Sequence, residues 1–110
     1  MLEVSDIKTL FPISIEEDNI TAHLQRATKD YSDVTFEDEQ QELEVVGSKT
    51  IYYLAPLLWV DMQNRVEEYS ESLSSFKDIK SFQQIWLDRA ESSLSKVNTE
   101  DEDSMSWDVI

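Results

Sequence analysis

The stretch Ile51-Tyr52-Tyr53-Leu54-Ala55-Pro56-Leu57-Leu58-Trp59-Val60 decides the fold. It carries no charge and is apolar on nearly every helical face. The stripe Ile51, Ala55, Leu58, Met62, Val66, Tyr69, Leu73 and Phe76 runs through and beyond it without a phase break. The apolar run is too short to span a bilayer, so no membrane partner is expected. A helix apolar all round must be buried on all sides. The segment is therefore expected either as the central core helix or as a helix whose outer surface meets another chain. Pro56 removes one backbone hydrogen bond, which predicts a kink or restart. Ser48 is placed to cap the start of the helix.

Upstream, Thr35-Phe36-Glu37-Asp38 offers a cap before an acidic stretch through Glu44. A modest helix is expected there, with a loop as its competitor. Gly47, the sole glycine, is expected to end it in a left-handed cap. Further back, Ser14-Ile15-Glu16-Glu17 has the pattern of a capping box. It opens a helix with the stripe Ile20, Leu24, Ala27, Tyr31 and Val34. Ser5 is placed to cap a short first helix carrying Ile7, Leu10 and Phe11, which Pro12 stops.

Downstream, Ser72 to Ser75 weakly break the pattern. Ser75 with Asp78 is placed to cap a last helix carrying Ile79, Phe82, Trp86, Ala90, Leu94 and Val97. From Asn98 the texture changes: Glu100 to Asp103 are all acidic, and no base follows. The sequence thus predicts an all-α protein, a small bundle of four to five helices over residues 1–97. A flexible acidic C-terminal tail, residues 98–110, follows it. Trp107, Val109 and Ile110 in that tail read as anchors for a partner.

Composition narrows the function. The chain of 110 residues has 24 acids against nine bases, a formal charge of -15. Such a protein is repelled by nucleic acid phosphates and anionic membranes. It then either mimics nucleic acid or sits beside it without sticking. There are no cysteines, which excludes disulfides and thiolate chemistry and fits a reducing compartment. Met1-Leu2-Glu3 opens without a basic or long apolar segment, so no signal peptide is expected. His23 is the only histidine and reads as a surface or boundary residue. One glycine cannot build a phosphate-cradling loop, and no segment has the ligand spacing of a calcium loop. No enzyme activity, cofactor or metal is expected.

The order of segments carries a resemblance. A short opening helix at Glu3 to Phe11 is followed by an acidic cap and a long helix from Glu16 to Tyr31. A polar joint and the apolar helices from Ile51 onward complete it. Over roughly residues 3–97 this resembles the head–tail connector (adaptor, head-completion) proteins of long-tailed bacteriophages. The resemblance implies a virion protein of the head–tail junction, assembled in the host cytoplasm. It implies a homo-oligomeric ring, typically of twelve copies, beneath the portal protein. The ring extends the DNA channel and docks the next connector or tail component. DNA would pass nearby without specific binding. On this reading Glu37, Asp38, Glu39 and Glu42 are candidates for lumen-facing acids. Tyr52, Tyr53 and Trp59 are candidates for subunit contacts. Trp107, Val109 and Ile110 are candidates for docking the tail segment. The alternative is a free acidic DNA mimic or inhibitor that blocks a basic partner. A weaker third option is an antitoxin-like accessory subunit that folds its tail on binding.

Overall fold

A computed structural model describes residues 2–11, 13, 15–65, 67, 76 and 78–109, with residues 95–109 described as helical backbone only. The fold is all-α, with no strand among the described residues. Helices α1 (Val4–Leu10), α2 (Glu17–Asp30) and α3 (Glu39–Glu42) come first. A π-helical turn, Leu43–Gly47, leads without interruption into α4 (Ser48–Asn64). The last helix, α5, is Ile79–Val109. At 1.5 Å per residue α5 is ~46 Å long. The molecule's longest dimension is 52 Å.

The central element is the continuous rod formed by α3, the π turn and α4. Asp38 starts it: its carboxylate accepts the Gln41 backbone N–H at 2.8 Å. This is the expected cap region, with Asp38 rather than Thr35 as the capping residue. The rod does not stop at Gly47, whose φ of -63° is right-handed. The expected left-handed cap there is wrong, and packing is the reason for the glycine. A Cβ on Gly47 would lie 2.6 Å from Leu10 Cδ1 and 3.2 Å from Leu43 Cδ1. The missing side chain lets α1 close onto the rod. Ser48 is likewise no cap. It lies inside the rod, fully buried, and its hydroxyl has no hydrogen-bond partner among the described residues. Pro56 sits within α4, on its exposed side, and the helix does not restart there.

The π turn is where the helices meet: α1, α2, α4 and α5 all pack against it. Val45, Val46, Gly47 and Ser48 are consecutive and all buried, as the wider turn is enclosed by neighbours on every side. Beyond it, Ile51, Leu54, Ala55, Leu58 and Met62 are fully buried and form the inner face of α4. The expected stripe holds as far as Met62. The helix then ends at Asn64 rather than running on, and Arg65 accepts the role of C-cap. Val66, Tyr69 and Leu73 lie outside the described residues. Phe76 packs on the core outside α4, edge-on to Phe82 with ring centroids 5.0 Å apart.

The other helices add one face each. Ile20, Leu24 and Ala27 of α2 are buried at the expected spacing. The helix starts at Glu17, the expected cap Ser14 lies outside the described residues, and Val34 falls beyond the helix in a turn. In α1 the cap is Glu3 rather than Ser5, and the Glu3 backbone N–H donates to Asp6 at 2.8 Å. Phe11 closes α1 against α5 through edge contacts with Phe82 at 5.4 Å and Trp86 at 5.9 Å. Asp78 caps α5, its carboxylate accepting the Ser81 backbone N–H at 2.8 Å. Ser75, the other expected member of that cap, lies outside the described residues. The expected mobility of residues 98–110, and the side chains of Trp107, Val109 and Ile110, lie outside what is described.

Candidate interaction site

The central rod presents two chemically different regions to solvent: an acidic one at its start and an aromatic, cationic one beside α2. At the start, Glu37, Asp38 and Glu39 are exposed and Glu42 is half-buried. Glu39 and Glu42 line a surface pocket of about 270 Å³ with Leu2, Asp6, Gln40 and Leu43. Glu37 and Asp38 line a second, of about 200 Å³, with Gln40, Gln41, Glu44 and Ser93. The four acids proposed from sequence therefore cluster, but around two depressions and not on one wall. Asp38 already serves as helix cap.

Two residues tie this acidic end to α5. Gln41 is buried; its side chain accepts the Glu37 backbone N–H at 2.7 Å and donates to the Ser93 carbonyl at 3.2 Å. Glu44 accepts a two-pronged contact from Arg89, with Nε at 2.8 Å and Nη2 at 3.1 Å. Arg89 also lies 5.1 Å from the centre of the Trp86 ring. Parallel donors from one guanidinium fix orientation as well as charge. These two residues went unnoticed in the sequence, where both look like members of a polar stretch.

The second region is built where α2 lies along α4. Tyr53 donates its hydroxyl proton to Asp30, and the Arg26 guanidinium stacks 3.9 Å from its ring centre. His23 lies 6.4 Å from the same ring. Lys49 Nζ sits 5.5–5.8 Å from the rings of Tyr31, Tyr52 and Tyr53 and 4.0 Å from Asp30. A cation over an aromatic face is held by the ring quadrupole. Burial, then the hydrogen bond to Asp30, pushes the Tyr53 hydroxyl up to about 12. Burial and the nearby Arg26 lower the His23 pKa below its ordinary value. Arg26 and Lys29, with Ala22 and Gln25, line a shallow depression of about 450 Å³. Neither Arg26 nor Lys29 pairs with a carboxylate among the described residues. In a chain of charge -15 this is a local concentration of positive charge.

The three aromatic residues chosen from sequence do not form one surface. Tyr52 and Tyr53 are neighbours, 5.5 Å apart, on the α2 side. Trp59 packs towards α5, 6.1 Å from Phe82. All three are half-buried against the core. Among the described residues the large apolar side chains left exposed are instead Leu57 (42%), Val60 (57%) and Ile85 (48%). Leu57 and Val60 lie four and seven residues beyond Tyr53, so they continue its face of α4. Their signal was present in the sequence, since the run is apolar on all sides and one side had to remain outside.

Comparison with protein-family models, curated proteins and solved structures returns no match for this chain. Among the described residues no group of acids and histidine is placed to hold a metal ion, and no helix is long and apolar enough to cross a membrane.

Proposed function

We propose that the protein is a structural assembly subunit: a head–tail connector of a long-tailed phage virion. Copies form a ring, typically of twelve, beneath the portal protein. The ring extends the DNA channel and receives the next tail component. The observation that carries the reading is the exposed apolar pair Leu57 and Val60 on the helix that also forms the core. An apolar stripe continuous with an aromatic cluster on a small, highly charged chain fits a contact surface between macromolecules. A contact that joins different patches on successive copies closes into a ring when the rotation allows.

Charge supports the same reading. Glu39 and Glu42, which share one depression, supply acidic side chains for a lumen wall that duplex DNA does not adhere to, since a like-charged wall gives phosphates nothing to grip. Screening limits that effect to about 8 Å at physiological ionic strength, so only acids directly lining the channel count. Asp38 joins them in sign while its cap role fixes the rod's start. The competing reading is a free acidic mimic that blocks a basic partner, and it rests on the net charge of -15.

Electron microscopy of the chain with portal rings separates the two. The connector reading expects extra ring density on the portal, built from copies of this chain. If the chain binds no portal or tail component but binds a basic protein with strong salt sensitivity, the mimic reading replaces it.

A further inference from the structure

The chain holds a segment whose chemistry complements the cationic face beside α2. Residues 99–110, Thr-Glu-Asp-Glu-Asp-Ser-Met-Ser-Trp-Asp-Val-Ile, combine Glu100, Asp101, Glu102, Asp103 and Asp108 with Met105, Trp107, Val109 and Ile110. No base occurs after Lys96. The face combines the same two chemistries with the opposite charge. Arg26 and Lys29 flank a depression on α2, and Arg26 covers Tyr53 at 3.9 Å. From Tyr53 the exposed apolar stripe runs on to Leu57 and Val60. Of the bases elsewhere among the described residues, Lys8 pairs with Glu17, Arg65 with Asp61 and Arg89 with Glu44, while Lys80 is a lone exposed base on α5.

We infer that residues 99–110 of one copy dock on the Arg26, Lys29, Tyr53, Leu57 and Val60 face of a second copy. The acids meet Arg26 and Lys29, and the terminal apolar residues cover Leu57 and Val60. The combination selects this occupant: its acids complement Arg26 and Lys29, and unlike the exposed acids Glu37, Asp38 and Glu39 it also brings Trp107, Val109 and Ile110 to an apolar stripe. The contact joins two different surfaces, so it propagates from copy to copy rather than closing on itself as a two-fold dimer does. The inference does not require a portal, and its readout is separate from portal binding.

Because the chain has no native cysteine, disulfide trapping tests it cleanly. Full-length Gln25→Cys and Ser106→Cys chains are mixed under mild oxidation, with Thr9→Cys on α1 as the control for random collision. The expected result is a mixed dimer of the first pair, on the order of tenfold above the control, the size expected of steered charge pairs. Adding Arg26→Glu and Lys29→Glu to the Gln25→Cys chain should abolish the excess. Adding Glu100→Lys and Asp103→Lys to the Ser106→Cys chain should then restore it. Far-UV circular dichroism checks that each variant is folded. A yield equal to the control, or one that ignores charge reversal, overturns the inference. So does a Gln25→Cys/Ser106→Cys double variant that closes only within one chain at every dilution, since the occupant would then be the chain's own tail. Trapping without portal binding would leave the inference standing and remove the connector reading; portal binding without trapping would do the reverse.

Discussion

The two sides of α4 do opposite things with the same kind of residue. Inward, Ile51, Leu54, Ala55, Leu58 and Met62 are fully buried and make up the middle of the core. Outward, Leu57 and Val60 keep about half their surface in water. The difference teaches that an apolar helix in a small protein has more apolar surface than one core can cover. What is left over is available to another molecule. The comparison makes a sharp demand: substitutions on the inner side must change folding and leave association alone, and those on the outer side must do the reverse.

The largest expected effect is on the inner side. Leu58→Ala should destabilise the fold by about 2–5 kcal/mol through lost burial and an unfilled cavity. Chemical denaturation measures this, and a loss within experimental error would break the contrast. Next comes Gln41→Ala, which removes the buried bridge from the loop before α3 to the Ser93 carbonyl. About 1–3 kcal/mol should be lost, because two hydrogen bonds of one buried side chain go together. Asp38→Ala should cost about 0.5–2 kcal/mol by uncapping the rod. For that reason Glu39, and not Asp38, is the residue to neutralise when the acidic lumen is tested. Smallest of all, Leu57→Ser and Val60→Ser should move stability by no more than about 0.5 kcal/mol. Their effect should appear in association, measured by sedimentation with and without portal rings.

The cationic face adds a pH dependence to the same contrast. The raised pKa of Tyr53 means the folded state favours the neutral phenol. Its contribution is fully present below the ordinary tyrosine value of about 10 and is lost as pH rises towards about 12. His23 has the opposite sign, because its folded pKa is lowered. Its contribution is present above the ordinary histidine value of about 6.5 and is lost as pH falls below it. Comparing the chain with Tyr53→Phe and with His23→Asn in thermal melts across these two windows should flatten the alkaline and the acidic limb respectively. A curve unchanged by either variant would show that the aromatic face does not couple to folding.

How legible this was depends on the kind of burial. Helix α2 has one covered face, and its stripe of Ile20, Leu24 and Ala27 gave the helix directly. The acid at Asp78 likewise marked the start of α5. The central rod was harder. Gly47 and Ser48 together look like a helix stop followed by a helix start, the local grammar of two separate helices. Tertiary packing overrode it: Gly47 is small because Leu10 presses on it, and Ser48 is fully buried inside the rod. Helical spacing also overran the true end at Asn64. Phe76 fits the same helical spacing but reaches the core outside α4. For the site, sequence singled out the aromatic residues of this segment. Tyr52, Tyr53 and Trp59 pack half-inward, and Leu57 and Val60 remain outside. The cationic cluster was invisible because Arg26, Asp30, Lys49 and Tyr53 come together only when α2 lies along α4.

The most direct test of the assembly role is electron microscopy of the full chain incubated with portal rings from the same genome, beside a Leu57→Ser/Val60→Ser variant. The proposed role expects a ring of this chain on the portal, and loss of that ring in the variant while its circular dichroism and melting temperature stay unchanged. Bare portals with the unaltered chain, or a ring indifferent to both substitutions, would contradict it.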